Sequence, residues 1–85
     1  MFTGIIETIA RVNALTEDGD NLHIQFESEL AGSLKIDQSV AHNGVCLTVV
    51  ACNNKLYSVT AIKETLHKTN LGLLKVGHLV NIERA

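Results

Sequence analysis

Proline and tryptophan are missing from the chain, and aromatic side chains amount to one Tyr and two Phe. No row of rings is available on which bases could stack. The seven Lys+Arg are scattered among nine Asp+Glu without a basic stripe, which argues against a nucleic-acid partner. No apolar run approaches the roughly 18 residues of a membrane span. The opening Met1-Phe2-Thr3-Gly4-Ile5-Ile6-Glu7 also lacks the basic stretch of a secretory leader, so a cytosolic protein without membrane contact is expected. Cysteine is scarce: Cys46 and Cys52 fall on one expected strand, about 20 Å apart at roughly 3.3 Å per residue. A bridge needs Cα atoms within about 7 Å, so that strand excludes an intrachain disulfide. His23, His42, His67 and His78 show no ligand spacing, so no metal site is expected. Nothing in the pattern pairs a Cys with a His as nucleophile and base.

What remains is a chain of 85 residues, 46% hydrophobic, with a formal charge of -2. That composition describes one compact soluble domain over residues 1–85, with room for a single core but not for a deep private pocket as well. A sizeable ligand therefore belongs on a face or at an interface.

The organising stretch runs from Ser39 to Ile62. With residues 45 to 51 extended, Val45, Leu47, Val49 and Ala51 form one apolar row, while Cys46, Thr48 and Val50 form the other. The first row needs a core; the second is small and partly polar and suits a sheet face approached by something flat. Thr3 to Leu15 reads as a long strand with Gly4, Ile6, Ala10, Val12 and Ala14 on one face. The Thr16–Asn21 run has turn chemistry, and the strand after it points Leu22, Ile24 and Phe26 inward. Ser28–Ser33 breaks the alternation as a loop or short helical turn. The Asn43-Gly44 pair predicts a hairpin into the central strand. Beyond Asn53-Asn54, Tyr57 and Val59 face one way and Ser58 and Thr60 the other. Lys63–Asn70 then shifts to helical spacing, with Leu71-Gly72 as its stop. In a last strand after Gly77, His78, Val80 and Ile82 share a face opposite Leu79, Asn81 and Glu83. Leu34-Lys35-Ile36-x-x-x-Val40 is echoed by Leu74-Lys75-Val76-x-x-x-Val80, read as two similar lead-ins to strands. Six short strands and one short helix are best accommodated by a closed six-stranded antiparallel Greek-key β-barrel, because an open sheet of this size leaves two exposed edges. The small residues Gly4, Ala10, Ala14, Ala41 and Ala51 fit a narrow interior.

Four blocks taken together resemble the N-terminal half of riboflavin synthase: Met1–Ile6, Ser39–Val49 with its Asn-Gly-Val-Cys-Leu-Thr-Val core, Lys63–Leu66 with Thr69-Asn70-Leu71, and Val80–Ala85. The resemblance covers the chain end to end. It implies one of two tandem lumazine-binding barrels, with Glu83-Arg84-Ala85 at the start of an interdomain linker. In that family two molecules of 6,7-dimethyl-8-ribityllumazine dismutate: one gives a four-carbon unit to the other, forming riboflavin and 5-amino-6-ribitylamino-pyrimidinedione. No metal or organic cofactor is needed, because the pteridine ring itself stabilises the carbanion at its acidic 7-methyl group.

Carried onto this chain, the resemblance implies ligand contacts from Gly4, Ile5, Ile6, Cys46, Leu47, Thr48, Thr60, Ala61, Ile62, Lys63, Glu64 and Thr65. Cys46 and Thr48 are the side chains considered for a catalytic part, and Thr65 sits where unpaired helical N–H groups meet the ligand. Thr60 stands where the family more often has Asp, which removes a carboxylate contact to the ribityl chain. The resemblance further implies a homotrimeric parent enzyme, and a homodimer with little or no turnover for a single barrel. Simpler structural readings stand beside these: Cys46 as a small buried hydrophobe, Lys63 and Glu64 as a solvated helical turn, Phe2 as a core plug or a contact to another barrel, His42 as an exposed strand residue. Two rival functions are a non-catalytic lumazine-binding antenna protein and a small barrel serving as a protein-interaction module.

Overall fold

Alternating apolar residues close the chain on itself. The computed structural model describes residues 2–85. Strands β1 (Thr8–Asp18), β2 (Asn21–Glu27), β3 (Ser39–His42), β4 (Val45–Cys52), β5 (Leu56–Ala61) and β6 (Leu79–Arg84) form a closed barrel in the order β1-β2-β5-β4-β3-β6, every pairing antiparallel. Among the described residues the one α-helix, α1, spans Lys63–Lys68, and 3-10 turns lie at Ala31–Ser33 and Leu71–Leu73. Inward residues at period two fill the interior: Ala10 and Val12, Ile24 and Phe26, Val40, Leu47 and Val49, Tyr57 and Val59, Val80 and Ile82. Asn43 and Gly44 both adopt positive φ, +49° and +86°, as the two-residue hairpin joining β3 to β4 requires.

The echo around residues 34 and 74 extends through the whole barrel as a pseudo-two-fold relation of β1–β3 to β4–β6. Leu34 N–H donates to Ala31 O and Leu74 N–H to Leu71 O, both at 3.2 Å. Asp37 N–H donates to Val49 O and Gly77 N–H to Val12 O, both at 2.8 Å. Val49 N–H donates to Gln38 O at 2.9 Å, matching Val12 N–H to His78 O at 2.8 Å. Asp37 and Gly77 occupy the same left-handed turn position, with φ of +73° and +95°. Each half also carries a β-bulge at the same place, after Val12 in β1 and after Val49 in β4. The departure from symmetry is α1, which lies between β5 and its 3-10 turn, where the first half has only a short loop.

Several sequence expectations change. The first strand begins at Thr8 rather than Thr3, and Gly4 and Ile6 are exposed. The segment ahead of Thr8 is held instead by Glu83: Gly4 N–H donates to Glu83 Oε1 (3.0 Å), and Thr3 donates to Oε2 through its N–H and its Oγ1. Those bonds account for Glu83 being buried although it lies on the face opposite Val80 and Ile82. The two bulges reverse the parity beyond them, so Leu15 and Cys52 pack against the core while Ala51 is exposed and Ala14 half-buried. Ala10 and Ala41 alone among the five small residues are buried. The helix ends at Lys68, and Leu71, taken as its stop, is buried in the following 3-10 turn.

His42, expected on the surface, is wholly buried because it shares the inward parity of Val40. Its ring stacks on Phe26 at 4.8 Å, which in turn stacks on Tyr57 at 5.3 Å. Nδ1–H donates to Val40 O (3.0 Å), leaving Nε2 to accept from the Tyr57 hydroxyl (2.9 Å). Burial therefore holds the imidazole neutral, its pKa pushed down to about 4, and pushes the Tyr57 phenol upward.

Candidate functional site

The ladder between β4 and β5 contains Val49–Val59, Ala51–Ser58 and Cys52–Tyr57, and stops there. Both strands continue, β4 back to Val45 and β5 on to Ala61, so they diverge beyond the Val49–Val59 pair. β4 stays paired to β3 over Val45–Thr48, and β5 stays paired to β2 through Ala61. The result is a split in one seam of the barrel. Because Val49 N–H is directed at Gln38 in the segment leading into β3, the alternation of an antiparallel strand turns the backbone groups of Thr48 and Cys46 towards β5 and the split.

Around this split the outer face assembles most of the sequence-predicted residues. Cys46 and Thr48 are exposed on β4, which replaces the reading of Cys46 as a buried hydrophobe. Glu83, Ala41 and Cys46 are successive register partners across β6, β3 and β4. Through Glu83, the Thr3–Ile5 segment therefore belongs to the same transverse row as Cys46, with Ile5 71% and Ile6 56% exposed. On the other side of the split stand Thr60, one step beyond Val59, and Ile62, 51% exposed. Leu47 and Ala61 turn their side chains into the core, and the same alternation directs their backbone groups at the paired strands β3 and β2 rather than at the split.

Lys63 and Glu64 are solvated at the start of α1, and Glu64 pairs with Lys68 at 2.8 Å. Thr65 is half-buried, with its carbonyl accepting from Thr69 Oγ1. The Thr60 hydroxyl is engaged by His23 Nδ1 (2.8 Å), whose Nε2 meets Asp18 Oδ2 (3.2 Å). The position lacking a carboxylate is thus linked to one through an imidazole.

Sequence reasoning missed three residues that hold the N-terminal segment and its flank. Glu83 anchors the N-terminal segment, and the Glu7–Arg84 pair closes behind it, with Arg84 Nη2 to Glu7 Oε2 at 2.8 Å and Nε to both oxygens. The Arg84 bonds hold the Glu7 carboxyl below its ordinary range and raise the guanidinium, so both stay charged at neutral pH. Thr3, Ile5, Glu7, Glu83 and Arg84 share in lining a shallow depression of about 440 Å³. An acid's distant partner leaves no trace in a period-two pattern, so no local signal pointed to this arrangement. Among the described residues no group of three or more His, Cys, Asp or Glu is placed to hold a metal ion, and no helix is long and apolar enough to cross a membrane.

Residues 3–85 match the model of the lumazine binding domain. The chain belongs to the lumazine binding domain family. Members similar to it by sequence include the riboflavin synthases of Buchnera aphidicola subsp. Schizaphis graminum, 46% identical over 90 residues, and Escherichia coli K12, 44% identical over 87. Each alignment takes in 100% of this chain, which spans only 42% and 41% of those relatives. Among solved structures, LumP complexed with 6,7-dimethyl-8-(1'-D-ribityl) lumazine superposes with a TM-score of 0.91 at 22% identity, over 100% of this chain and 49% of that one. LumP complexed with flavin mononucleotide gives 0.90 at 27% identity, over 98% and 48%. For this lumazine binding domain the structural likeness establishes the barrel, and the sequence relatives establish the family.

Proposed function

We propose that the chain is the single ligand-binding barrel, residues 1–85, of a riboflavin synthase, and that it binds 6,7-dimethyl-8-ribityllumazine or riboflavin on the outer face at the β4–β5 split. The observation that carries this is the ladder ending at Val49–Val59, which leaves backbone groups of β4 directed at an open seam. A flat pteridine or flavin presents alternating ring donors and acceptors along one edge, and main-chain N–H and C=O groups are suited to reading them. Thr48 supplies a hydroxyl that can both donate and accept. Cys46 and Ile62 contribute backbone groups, Leu47 and Ala61 form the wall behind them from the core side, and Gly4–Ile6 and Thr60 with Lys63–Thr65 frame the ring and its ribityl chain.

In the longer protein two such barrels face two lumazines towards each other, and one transfers its four-carbon unit to the other. Orientation of the two rings is the protein's main contribution, worth on the order of 7–11 kcal/mol in favourable cases. The substrate supplies the carbanion-stabilising ring, so the reaction requires neither metal nor organic cofactor. Cys46 and Thr48 are the side chains nearest the chemistry, and the exposed Cys46 thiol acts as a wall of the site unless a neighbouring base or cation from a partner activates it. The single barrel binds ligand as a homodimer with little or no turnover, the parent is a homotrimer, and both are cytosolic. Sequence favours the enzyme over an antenna protein, since riboflavin synthases align with the whole of this chain at 31–46% identity.

Fluorescence titration of riboflavin with the purified chain tests the site. Saturable quenching is expected, with Thr48→Phe weakening affinity tenfold or more by filling the ring's place, about 1.4 kcal/mol. Absence of binding at micromolar protein would overturn a site formed by one barrel.

A further inference from the structure

The pseudo-two-fold relation gives the β4–β5 split a twin on the opposite half of the barrel. Matching Val12–Phe26 with Val49–Val59 aligns Ile9 and Arg11 with Cys46 and Thr48, and Glu27 and Ser28 with Thr60 and Ala61. The twin is built differently in two respects. Its ladder continues one pair further, through Arg11–Glu27, whereas the Thr48–Thr60 pair is missing from the β4–β5 ladder. Beyond that pair, Ser28 Oγ donates to the Ile9 carbonyl at 3.1 Å and fastens the end of β2 to β1. Ser28 is buried, in line with Ile24 and Phe26, as Ala61 is in line with Tyr57 and Val59. Its counterpart Ala61 has no hydroxyl, so nothing equivalent reaches the Cys46 carbonyl.

We infer that Ala61 is a specificity-determining residue by virtue of the hydroxyl it lacks: it leaves the Cys46 carbonyl open as an acceptor for a ring N–H of the ligand, while Ser28 seals the corresponding carbonyl of the twin. This rests on the ligand site proposed above and adds which backbone acceptor is kept free and by what. The ligand class that fits is a flat heterocycle with an imide-type N–H on the edge inserted into the split. A serine at position 61 would place a hydroxyl at the position equivalent to Ser28, as an internal competitor for the Cys46 carbonyl.

Ala61→Ser is therefore expected to keep the fold, seal the split and weaken riboflavin binding about tenfold, the scale of one hydrogen bond surrendered to an internal competitor. A measurement on the unaltered chain keeps the inference testable should that variant fold poorly. On adding riboflavin, the backbone ¹³C′ resonance of Cys46 moves downfield, as for a carbonyl gaining a hydrogen bond, while that of Ile9 stays in place. A folded Ala61→Ser chain with unchanged affinity, or a Cys46 carbonyl that does not respond in a riboflavin-saturated sample, overturns the role of Ala61 and leaves the binding function standing. A wild-type chain that does not bind riboflavin overturns the binding function, and this inference with it.

Discussion

At position 42 a histidine does the work of a core residue. It is stacked on Phe26 and bonded to Val40 O and Tyr57 Oη, so it can stay in the core only while neutral. Its pKa is about 4 in the fold against 6.5 ordinarily, so between these values the unfolded chain binds a proton that the native chain refuses. Stability is consequently full above about pH 6.5 and falls as the pH drops towards 4, by about 3 kcal/mol in total. Urea unfolding at pH 7 and pH 4 should show that loss in the wild type. His42→Phe should remove the His42 part of the pH dependence, while costing about 1–3 kcal/mol at pH 7 for the unpaired Tyr57 hydroxyl. An equal fall in stability in both chains over that range would place the pH dependence elsewhere. The sequence contained the sign of this burial in the parity of His42 with Val40. Composition pulled the other way, since histidines are seldom fully buried.

Among the elements, those specified by local chemistry were legible in advance: the Asn43-Gly44 hairpin, the inward row of β2 and the helix after Ile62 all follow from turn residues or periodicity. The bulges in β1 and β4 were not, because an extra residue in one strand shows only against its partner. The start of β1 was misplaced for a related reason, as Thr3–Ile6 alternates acceptably but is held by Glu83, far away in sequence. For the site, the outward row of Cys46 and Thr48 could be read from alternation, whereas the end of the β4–β5 ladder could not. The paired turns at Asp37 and Gly77 offer a test at this scale. Both residues are left-handed, and a Cβ built on Gly77 meets nothing within 4 Å. The cost of Gly77→Ala is therefore conformational, about 1 kcal/mol. Gly77→Asp should cost less, because Asp already occupies the equivalent turn and short polar side chains tolerate this conformation. Chemical denaturation of the two variants would reveal this order, and equal stabilities would show that the two turns are not equivalent.

For the molecule as a whole, the exposed apolar residues bear on what lies against the site. Ile62 stands at the split, while Ile5 and Ile6 belong to the segment held by Glu83 in the transverse row of Cys46, and each is more than half exposed. A grouping of large aliphatic side chains beside an open seam favours coverage by another surface. On the function proposed above, a second barrel of a longer protein would be that surface, and for this chain alone a second copy would supply an equivalent face. Sedimentation equilibrium should accordingly give about twice the 9.2 kDa chain mass at tens of micromolar, and riboflavin should shift the balance further towards the dimer if it is sandwiched between two copies. Ile6→Glu places a charge in that contact and should shift the chain towards monomer. Its effect on riboflavin affinity then separates two arrangements: affinity that falls together with dimerisation means that the partner completes the site, whereas a monomeric variant binding as tightly as wild type means that one barrel holds the ligand unaided. A wild-type chain that is monomeric throughout the range, with or without riboflavin, would remove the self-paired arrangement and favour the proposed second barrel as what covers the apolar residues.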